Sequence, residues 1–283
     1  SDFIKKINPE IIFHLAAQPL VSEAYKNTAY TFETNIIGTI NLLDSCQNLN
    51  NIKSIIVITS DKCYKNNSTE KKNFLESDPI GANDPYSTSK AAQELVVETY
   101  RNYIFKNKNL LISTARAGNI IGGGDWEKTR LIPDLFLSNL KKKNIYLRNP
   151  NATRPWQHIL DVVEGILKLI LVKGKKISNT SHIYNIGPKS NKDLKVKYLI
   201  QKFIDYAPYL KIKYKFKNIN FSEKKFLRLS SKLIMKDIRW KSKLSINDTI
   251  KLTSKWYYEF FKNKIQIINF TMRQIEFFLK KNR

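Results

Sequence analysis

The sequence predicts an α/β fold built on a parallel β-sheet, with a smaller α+β domain interleaved into its second half. Up to residue 116, short apolar runs alternate with segments of helical periodicity, which is typical of a parallel sheet covered by helices. After Gly118 the pattern changes to short strands and tight turns among helices. The 283 residues, 42% of them hydrophobic, suffice for one large domain or two coupled ones.

The first half carries three predicted strands and two predicted helices, with a loop over residues 61–83 between the second strand and the second helix. The strands are short apolar runs, and we expect the first to be buried on both faces. In chain order the elements are strand 10–17, helix 28–50, strand 54–59, helix 86–103 and strand 110–116.

The second half carries shorter elements, without internal repeats or low-complexity linkers. We predict that the sheet domain comprises residues 1–118 and 155–188, and the smaller domain residues 119–154 and 189–283. In chain order the elements are helix 130–143, strand 145–148, helix 158–173, strand 182–186, a helix from 192, an alternating Lys/aromatic strand at 211–216 and two more helices, the last amphipathic over 264–281.

The net charge of +25 does not by itself indicate a nucleic-acid partner. Most of the basic residues are Lys, scattered along the chain among many Ile and Asn. Nucleic-acid binders usually concentrate basic residues on one element with interleaved aromatics. We therefore expect a solvated basic surface, no nucleic-acid partner, and a nucleotide diphosphate as the anion that is bound.

Other features of the sequence exclude further classes. No apolar run approaches the roughly 20 residues that a membrane span needs, and the start shows no secretory signal. Cys46 and Cys63 are the only cysteines and supply no disulfide framework, which fits a cytoplasmic protein. The three histidines lack metal-ligand spacing, so we expect no metal site.

Tyr86 and Lys90 form the most informative pair in the chain. Four residues apart on a helix, they lie on one face, and a cation there favours the phenolate over the phenol. We expect Lys90 to lower the pKa of Tyr86 from its usual value of roughly 10. A phenolate at neutral pH can take a proton from a sugar or alcohol hydroxyl. Such pairs also arise by chance, so the interpretation depends on the strand end at residues 59–62 upstream.

The glycine-rich turn of a dinucleotide-binding domain is not found where it is expected. Such a domain opens with a strand, a glycine-rich turn and a helix whose N-terminus holds the pyrophosphate. No such turn precedes His14, and the triple glycine at 122–124 follows the helix of Tyr86. Two interpretations stay open: the chain is not a dinucleotide enzyme, or the first strands of its sheet are missing from it.

Taken together, these segments resemble the extended short-chain dehydrogenase/reductase family over essentially the whole chain, and within it the sugar-nucleotide 4,6-dehydratases. The resemblance implies a Rossmann-like sheet that lacks its first strands. It also implies that residues 1–118 and 155–188 bind the nucleotide cofactor, while 119–154 and 189–283 bind the sugar nucleotide. The segments that carry it are 14–18, 35–39, 59–64, 118–126, 154–158, 255–257 and 273–275.

The activity that the resemblance implies is NAD-dependent dehydration of CDP-D-glucose to CDP-4-dehydro-6-deoxy-D-glucose. Carbon 4 is oxidised, water is eliminated across carbons 5 and 6, and carbon 6 is reduced. Tyr86 would take the carbon 4 hydroxyl proton, Thr59 would hydrogen-bond that oxygen, and Lys90 would also hold the nicotinamide ribose. The full-length protein is expected to be a homo-oligomer, and the chain as given is expected not to bind NAD tightly.

Asp61 and Lys62 are the residues expected to perform the elimination, because an epimerase has no group to expel. The resemblance suggests Asp61 as the acid and Lys62 as the base. A lysine base must be partly neutral, which requires a lowered pKa, and a close Asp–Lys pair titrates as a unit. Another dehydratase or epimerase of the same fold, or a non-catalytic remnant, remains an alternative.

The resemblance also indicates residues for binding. The loop after the first strand would contact the cofactor through Ala16, Ala17 and Gln18. Arg116 is expected to brace a strand end, and Trp156 to stack on the substrate or merely to pack. Residues whose amide or guanidinium groups suit the substrate diphosphate are Asn119, Arg130 and Arg154.

Overall fold

A computed structural model of the chain describes residues 2–66, 72–81, 83–141, 143–147, 149–172, 181–188, 194–207, 214–216 and 226–281. The strands are β1 Ile11–His14, β2 Ser54–Ile58, β3 Leu111–Ala117, β4 Ile120–Ile121, β5 Ile145–Leu147, β6 Gln157–His158, β7 Ile183–Ile186 and β8 Tyr214–Phe216. The α-helices are α1 Asp2–Ile7, α2 Val21–Lys26, α3 Thr28–Phe32, α4 Gly38–Cys46, α5 Pro85–Thr99, α6 Leu131–Leu140, α7 Ile159–Lys168, α8 Val196–Tyr206, α9 Lys232–Ile238, α10 Ile246–Lys262 and α11 Ile267–Lys280.

The main sheet is parallel throughout, in the order β1-β2-β3-β7, which confirms the predicted architecture. One expectation about it is wrong. β1 was expected to be buried on both faces, but Ile11 is exposed and the next two residues are half-buried. In the described part of the chain β1 pairs with β2 alone, so it forms an edge of the sheet.

Helices cover both faces of this sheet. Successive side chains of a strand point to opposite faces, so each strand packs against helices on both sides. Ile55 and Val57 of β2 pack into a buried cluster with Leu43 of α4 and Val97 of α5. Ile56, between them, faces the opposite cluster, which includes side chains of α7 and α9. The uninterrupted apolar run of β2 is therefore explained by burial on two sides.

Besides the two clusters on the faces of the main sheet, a separate hydrophobic cluster, called the second cluster below, lies around α6, β5, α8 and α10. At its centre the rings of Phe136 and Tyr257 stack with centroids 4.0 Å apart, and Phe203 packs edge-on against Phe136. β5 pairs with β8 in a separate two-stranded parallel sheet. The helix α9, however, packs on β7 of the main sheet.

Most predicted elements occur, with differences at their ends. The predicted helix 28–50 is built of α3, a π-turn over Glu33–Ile37 and α4. Of the predicted strand at 211–216, residues 211–213 lie outside the described residues, and residues 214–216 form β8. Two helices were expected after it, but the described part contains three, because α9 has only seven residues and too little periodicity to be recognised. None of the described helices is both long and apolar enough to span a membrane.

Candidate active site

Four of the five predicted catalytic residues, Thr59, Asp61, Lys62 and Tyr86, line one open cleft of about 450 Å³ beside the carboxyl ends of β2 and β3. The fifth, Lys90, is buried and is not part of this lining. Ligands of open parallel sheets bind at this end of the strands. The cleft extends from the main sheet to the second hydrophobic cluster, since Leu147 and Val196 also line it. Its polar lining includes Ser60, Asp61, Lys62, Tyr86, Asn119, Arg130 and Arg154.

Tyr86 lies in the first turn of α5, where local sequence fixes its backbone. The Asp84 carboxylate caps this helix by accepting from the Ser87 N–H at 2.9 Å, and Pro85 occupies the first turn. Tyr86 is buried, and burial raises the pKa of its phenol to about 12. Charge repulsion from Asp61 adds to this rise, while the Ser60 hydrogen bond and the Arg130 charge lower the pKa.

The predicted lowering of the Tyr86 pKa by Lys90 does not occur in this structure. The Lys90 ammonium turns away and donates to the Gln93 Oε1 at 2.9 Å and to the Ile58 carbonyl at 3.3 Å. Burial lowers the pKa of Lys90 itself to about 8, against the opposing charge of Glu94. The two residues share a helix face, as predicted, but spacing alone did not determine the direction of the long lysine side chain.

Ser60, which the sequence interpretation passed over, is the hydroxyl that interacts with Tyr86. Thr59, predicted to bind the carbon 4 oxygen, donates its hydroxyl proton to the buried Glu94 carboxylate. The Ser60 hydroxyl lowers the pKa of the Tyr86 phenol, and it donates to the Asp61 Oδ1 at 3.2 Å. The residue that interacts with both Asp61 and Tyr86 is thus Ser60 and not Thr59. The only sequence signal for it was its position beside Asp61.

Asp61 is a desolvated carboxyl group rather than part of a surface ion pair. It is 3% exposed, and its Oδ2 is buried without a hydrogen-bond partner. Burial raises the pKa of Asp61 to about 6, although the charges of Lys62 and Arg154 and the hydrogen bond from Ser60 oppose the rise. An acid with this pKa is partly protonated near neutral pH, so it can donate a proton.

Lys62, the predicted base, follows Asp61 in a short turn and lines the same cleft. Its ammonium lies over the Tyr86 ring, 5.8 Å from the ring centroid. The cation over the Tyr86 ring is therefore Lys62, the predicted base. Asp61, Lys62 and Tyr86 are brought together, as the sequence predicted.

A buried ion pair supports the floor of the site. The Arg116 guanidinium donates to Glu94 at 3.0 Å, and both side chains are 2% exposed. Glu94 also accepts from Thr59 and, at 2.9 Å, from Thr114. Arg116 additionally lies over the Tyr64 ring. These contacts tie α5 to the ends of β2 and β3, which is the bracing role predicted for Arg116.

The loop after β1 offers less to a cofactor than predicted. Ala16 is exposed and Ala17 half-buried, but the side chain of Gln18 is buried and donates to Thr31 at 2.8 Å. The Gln18 N–H donates to Asn35 at 2.8 Å. Gln18 therefore shapes the loop, and the alanines are the part of it that remains accessible.

The described residues fit the nicotinamide end of a dinucleotide. Lys90 has three N–H groups, and the structure gives acceptors to two of them, Gln93 and Ile58, so one N–H is left for a ribose hydroxyl. For the pyrophosphate end, the 283 residues contain no G-x-G-x-x-G sequence. The fit therefore concerns Tyr86, Lys90 and the exposed backbone at Ala16.

The predicted diphosphate-binding side chains all line the cleft. Arg130 donates to Asp125 at 3.0 Å and is more than a third exposed. Arg154 donates to the Thr153 carbonyl at 2.8 Å. The carbonyl of Asn119 accepts from the Gln157 N–H at 3.0 Å, which leaves its side chain at the cleft wall. Trp156 is buried in the second cluster as well as lining the cleft, which supports the packing interpretation.

Comparison with known proteins agrees with this geometry. The family model of GDP-mannose 4,6-dehydratase matches residues 1–253. The CDP-glucose 4,6-dehydratase of Salmonella typhimurium is 34% identical over 278 residues, which are 94% of this chain and 75% of that protein.

Solved structures share the fold at lower identity. The UDP-glucose 4-epimerase of Thermotoga maritima with UDP-glucose has a TM-score of 0.78 and 20% identity, covering 93% of this chain and 82% of that one. The dTDP-glucose 4,6-dehydratase of Bacillus anthracis with NAD has a TM-score of 0.73 and 22% identity, covering 91% and 75%. Because the family model matches residues 1–253 and the Salmonella relative is 34% identical over 94% of this chain, the chain belongs to the GDP-mannose 4,6-dehydratase family.

Proposed function

We propose that this protein is an NAD-dependent hydro-lyase that converts CDP-D-glucose to CDP-4-dehydro-6-deoxy-D-glucose. The observation that carries the proposal is the meeting of a buried, desolvated Asp61 carboxyl with Ser60 and Tyr86 at one cleft. The name of the Salmonella relative supports the nucleotide. We further propose that residues 1–118 and 155–188 hold NAD, and that 119–154 and 189–283 hold the sugar nucleotide.

The oxidation at carbon 4 is assigned to Tyr86 and Ser60. When bound, NAD would supply the hydride acceptor and a positively charged ring, with its ribose held by Lys90. Tyr86 would take the proton of the carbon 4 hydroxyl, and Ser60 would hydrogen-bond the same oxygen. Because burial raises the pKa of Tyr86 to about 12, the phenol keeps its proton until positive charge enters the site.

The elimination is assigned to Asp61 and Lys62. A ketone at carbon 4 makes the carbon 5 proton acidic, and Lys62 would remove it. Asp61 would protonate the carbon 6 hydroxyl, which leaves as water. The raised pKa of Asp61 supports this division, because a fully ionised carboxylate has no proton to give.

Substrate binding is assigned to Asn119, Arg130 and Arg154. The two guanidiniums line the cleft and can form paired hydrogen bonds with phosphate oxygens. We also propose a homo-oligomer that works in the cytoplasm. Exposed apolar side chains on the helix of residues 85–104, such as Leu95 and Tyr103, support the first part, and two free buried cysteines fit the second.

The test is an assay of the native-length protein with NAD and CDP-, dTDP- or UDP-glucose, followed by detection of the alkali-sensitive 4-keto product. We expect product from CDP-glucose at the highest kcat/KM. Tyr86→Phe should lose roughly 10²–10⁴-fold in turnover while substrate still binds. A 4-epimer formed without loss of water would instead favour the epimerase alternative.

A further inference from the structure

Lys90 is held by neutral acceptors, although it is a buried cation. Its ammonium donates to the amide oxygen of Gln93 at 2.9 Å and to the carbonyl of Ile58 at 3.3 Å. Lys90 is 3% exposed and Gln93 is fully buried. Among the residues that the structure describes, no ion pair includes Lys90, because the neighbouring Glu94 is paired with Arg116.

Neighbouring hydrogen bonds determine the orientation of the Gln93 amide. The Thr39 hydroxyl donates its single proton to the Asn35 carbonyl at 2.8 Å. It can therefore only accept from the Gln93 Nε2 at 2.8 Å and from the His14 Nε2 at 2.9 Å. Gln93 must then present its oxygen to Lys90, and His14 must carry its proton on Nε2.

This chain of contacts connects three elements to the ammonium. His14 ends β1, Thr39 lies in α4, and Gln93 lies one helical turn after Lys90 in α5. All four side chains are less than a tenth exposed. Because a buried, fully hydrogen-bonded network has few alternative arrangements, it holds the Lys90 side chain in one position.

A carboxylate at position 93 could hold the ammonium equally well, but it would cancel the charge. We propose that Gln93 is a positioning residue that fixes the Lys90 ammonium while leaving its positive charge unpaired. The inference rests on the proposed function, in which that cation holds the NAD ribose. The groups that act on Lys90 electrostatically are Glu94, Cys63 and His14, and burial lowers the pKa of Lys90 to about 8.

The test measures NAD affinity by calorimetry from pH 7 to pH 10 on the native-length protein. In the wild type, affinity should fall as pH rises through about 8, where Lys90 loses its proton. Gln93→Glu keeps the acceptor but adds a charge that raises the pKa of Lys90, so the fall should move to higher pH. Gln93→Met removes the acceptor, and NAD affinity at pH 7 should drop about 10-fold or more.

Three further variants control for structural damage. Thr39→Val leaves Gln93 in place but removes its fixed acceptor, so we expect a smaller loss of affinity, and Thr39→Ser should restore it. Gln201→Met, on the exposed side of α8, should change nothing. If Gln93→Glu weakens binding without moving the pH midpoint, Gln93 is merely structural and the inference is overturned.

A readout without NAD separates this inference from the proposed function. If the wild type does not bind NAD, the proposed function fails, but the contact can still be tested by thermal unfolding. Since the folded pKa of Lys90 is lower than the unfolded value of 10.5, wild-type stability should gain from this residue as pH rises from about 8. Gln93→Glu should lose that gain, and an unchanged pH dependence would overturn the inference.

Discussion

The buried carboxyl groups of Asp61 and Glu94 both interact with the residues that follow β2, and their partners give them different roles. Glu94 receives hydrogen bonds from Arg116, Thr59 and Thr114, so its charge is neutralised by a guanidinium. Asp61 receives a hydrogen bond from Ser60, and its second oxygen has no partner. The first arrangement braces the fold, while the second keeps an acid available, as is common at functional sites.

The desolvation of Asp61 predicts that replacing it stabilises the protein. Its folded pKa of about 6 exceeds the value of 3.8 for a free carboxyl, so ionisation costs the folded state stability as pH rises through this range. Above pH 7 the full cost is roughly 3 kcal/mol. We expect Asp61→Asn to raise the free energy of unfolding at pH 7.5, toward about that amount, and to lose activity.

Denaturant unfolding of both proteins at several pH values checks this expectation. The gain should shrink as pH falls through about 6 and vanish only well below pH 3.8, where the wild-type carboxyl is protonated in both the folded and the unfolded state. A variant that is less stable than the wild type at pH 7.5 would show that the carboxylate is favourably solvated or paired, contrary to the structure.

The two adjacent hydroxyls should separate into a catalytic and a structural residue. Ser60→Ala removes the hydroxyl that lowers the pKa of Tyr86, and we expect turnover to fall roughly 10–100-fold with little change in stability. Thr59→Val leaves Glu94 short of one donor, so it should cost about 1–3 kcal/mol of stability and only a few-fold in turnover. Steady-state kinetics and unfolding curves of both variants test this assignment. If Thr59→Val loses turnover and Ser60→Ala loses stability, Thr59 is the catalytic residue of the two.

The sequence could identify the cluster at 59–62 but could not distinguish Thr59 from Ser60. Adjacent residues at a strand end point to opposite sides, and which side faces the cleft depends on Glu94, 35 positions away. Likewise, spacing placed Lys90 and Tyr86 on one helix face, but the direction of the Lys90 side chain also depends on the Ile58 carbonyl of β2, 32 positions away. Such long-range contacts leave no local pattern.

At the scale of elements, the site depends on how closely β3 and the segment before β6 approach each other. Gly118 follows β3, and a Cβ there would lie 2.3 Å from the Pro155 Cγ and 3.0 Å from the Asp61 Oδ2. The missing side chain therefore leaves room for both the proline and the desolvated carboxyl. Gly38, in contrast, begins α4, where a Cβ would have only an ordinary contact at 3.8 Å.

These two glycines form a matched pair of alanine substitutions. Gly118→Ala should destabilise the protein by about 1–3 kcal/mol and reduce turnover, because Pro155 must shift beside Asp61. Gly38→Ala should be neutral or stabilise by up to about 1 kcal/mol, as expected for alanine in a helix. Melting curves and kinetics of both variants provide the check; a tolerated Gly118→Ala would mean that the segments can separate freely.

Elements with a clear period were predictable, and those without one were not. The strand β2 is an apolar run after Ser54, and β3 begins with one at Leu111 and Ile112, so the existence of both strands followed from the sequence. The strands β4 and β6 have two residues each and therefore no periodicity. Their pairing nevertheless positions Gln157 beside Asn119 at the cleft wall.

For the whole molecule, the cleft lies between the main sheet and the second cluster. Ser60, Asp61 and Lys62 follow β2, Tyr86 lies in α5, and the second cluster supplies apolar walls. Arg130 and Arg154 lie at the same cleft, where a diphosphate would neutralise them. The volume and lining of this cleft could not be predicted from the order of motifs along the chain, because they depend on how the helices and strands pack.

The central claim is that one site oxidises carbon 4, expels water and reduces carbon 6 of the same sugar. The most direct measurement follows a deuterium label placed on carbon 4 of CDP-glucose, using NMR and mass spectrometry of the product. We predict a product that has lost one water and carries the deuterium on carbon 6. Deuterium retained on carbon 4 of a sugar that has lost no water would contradict the account.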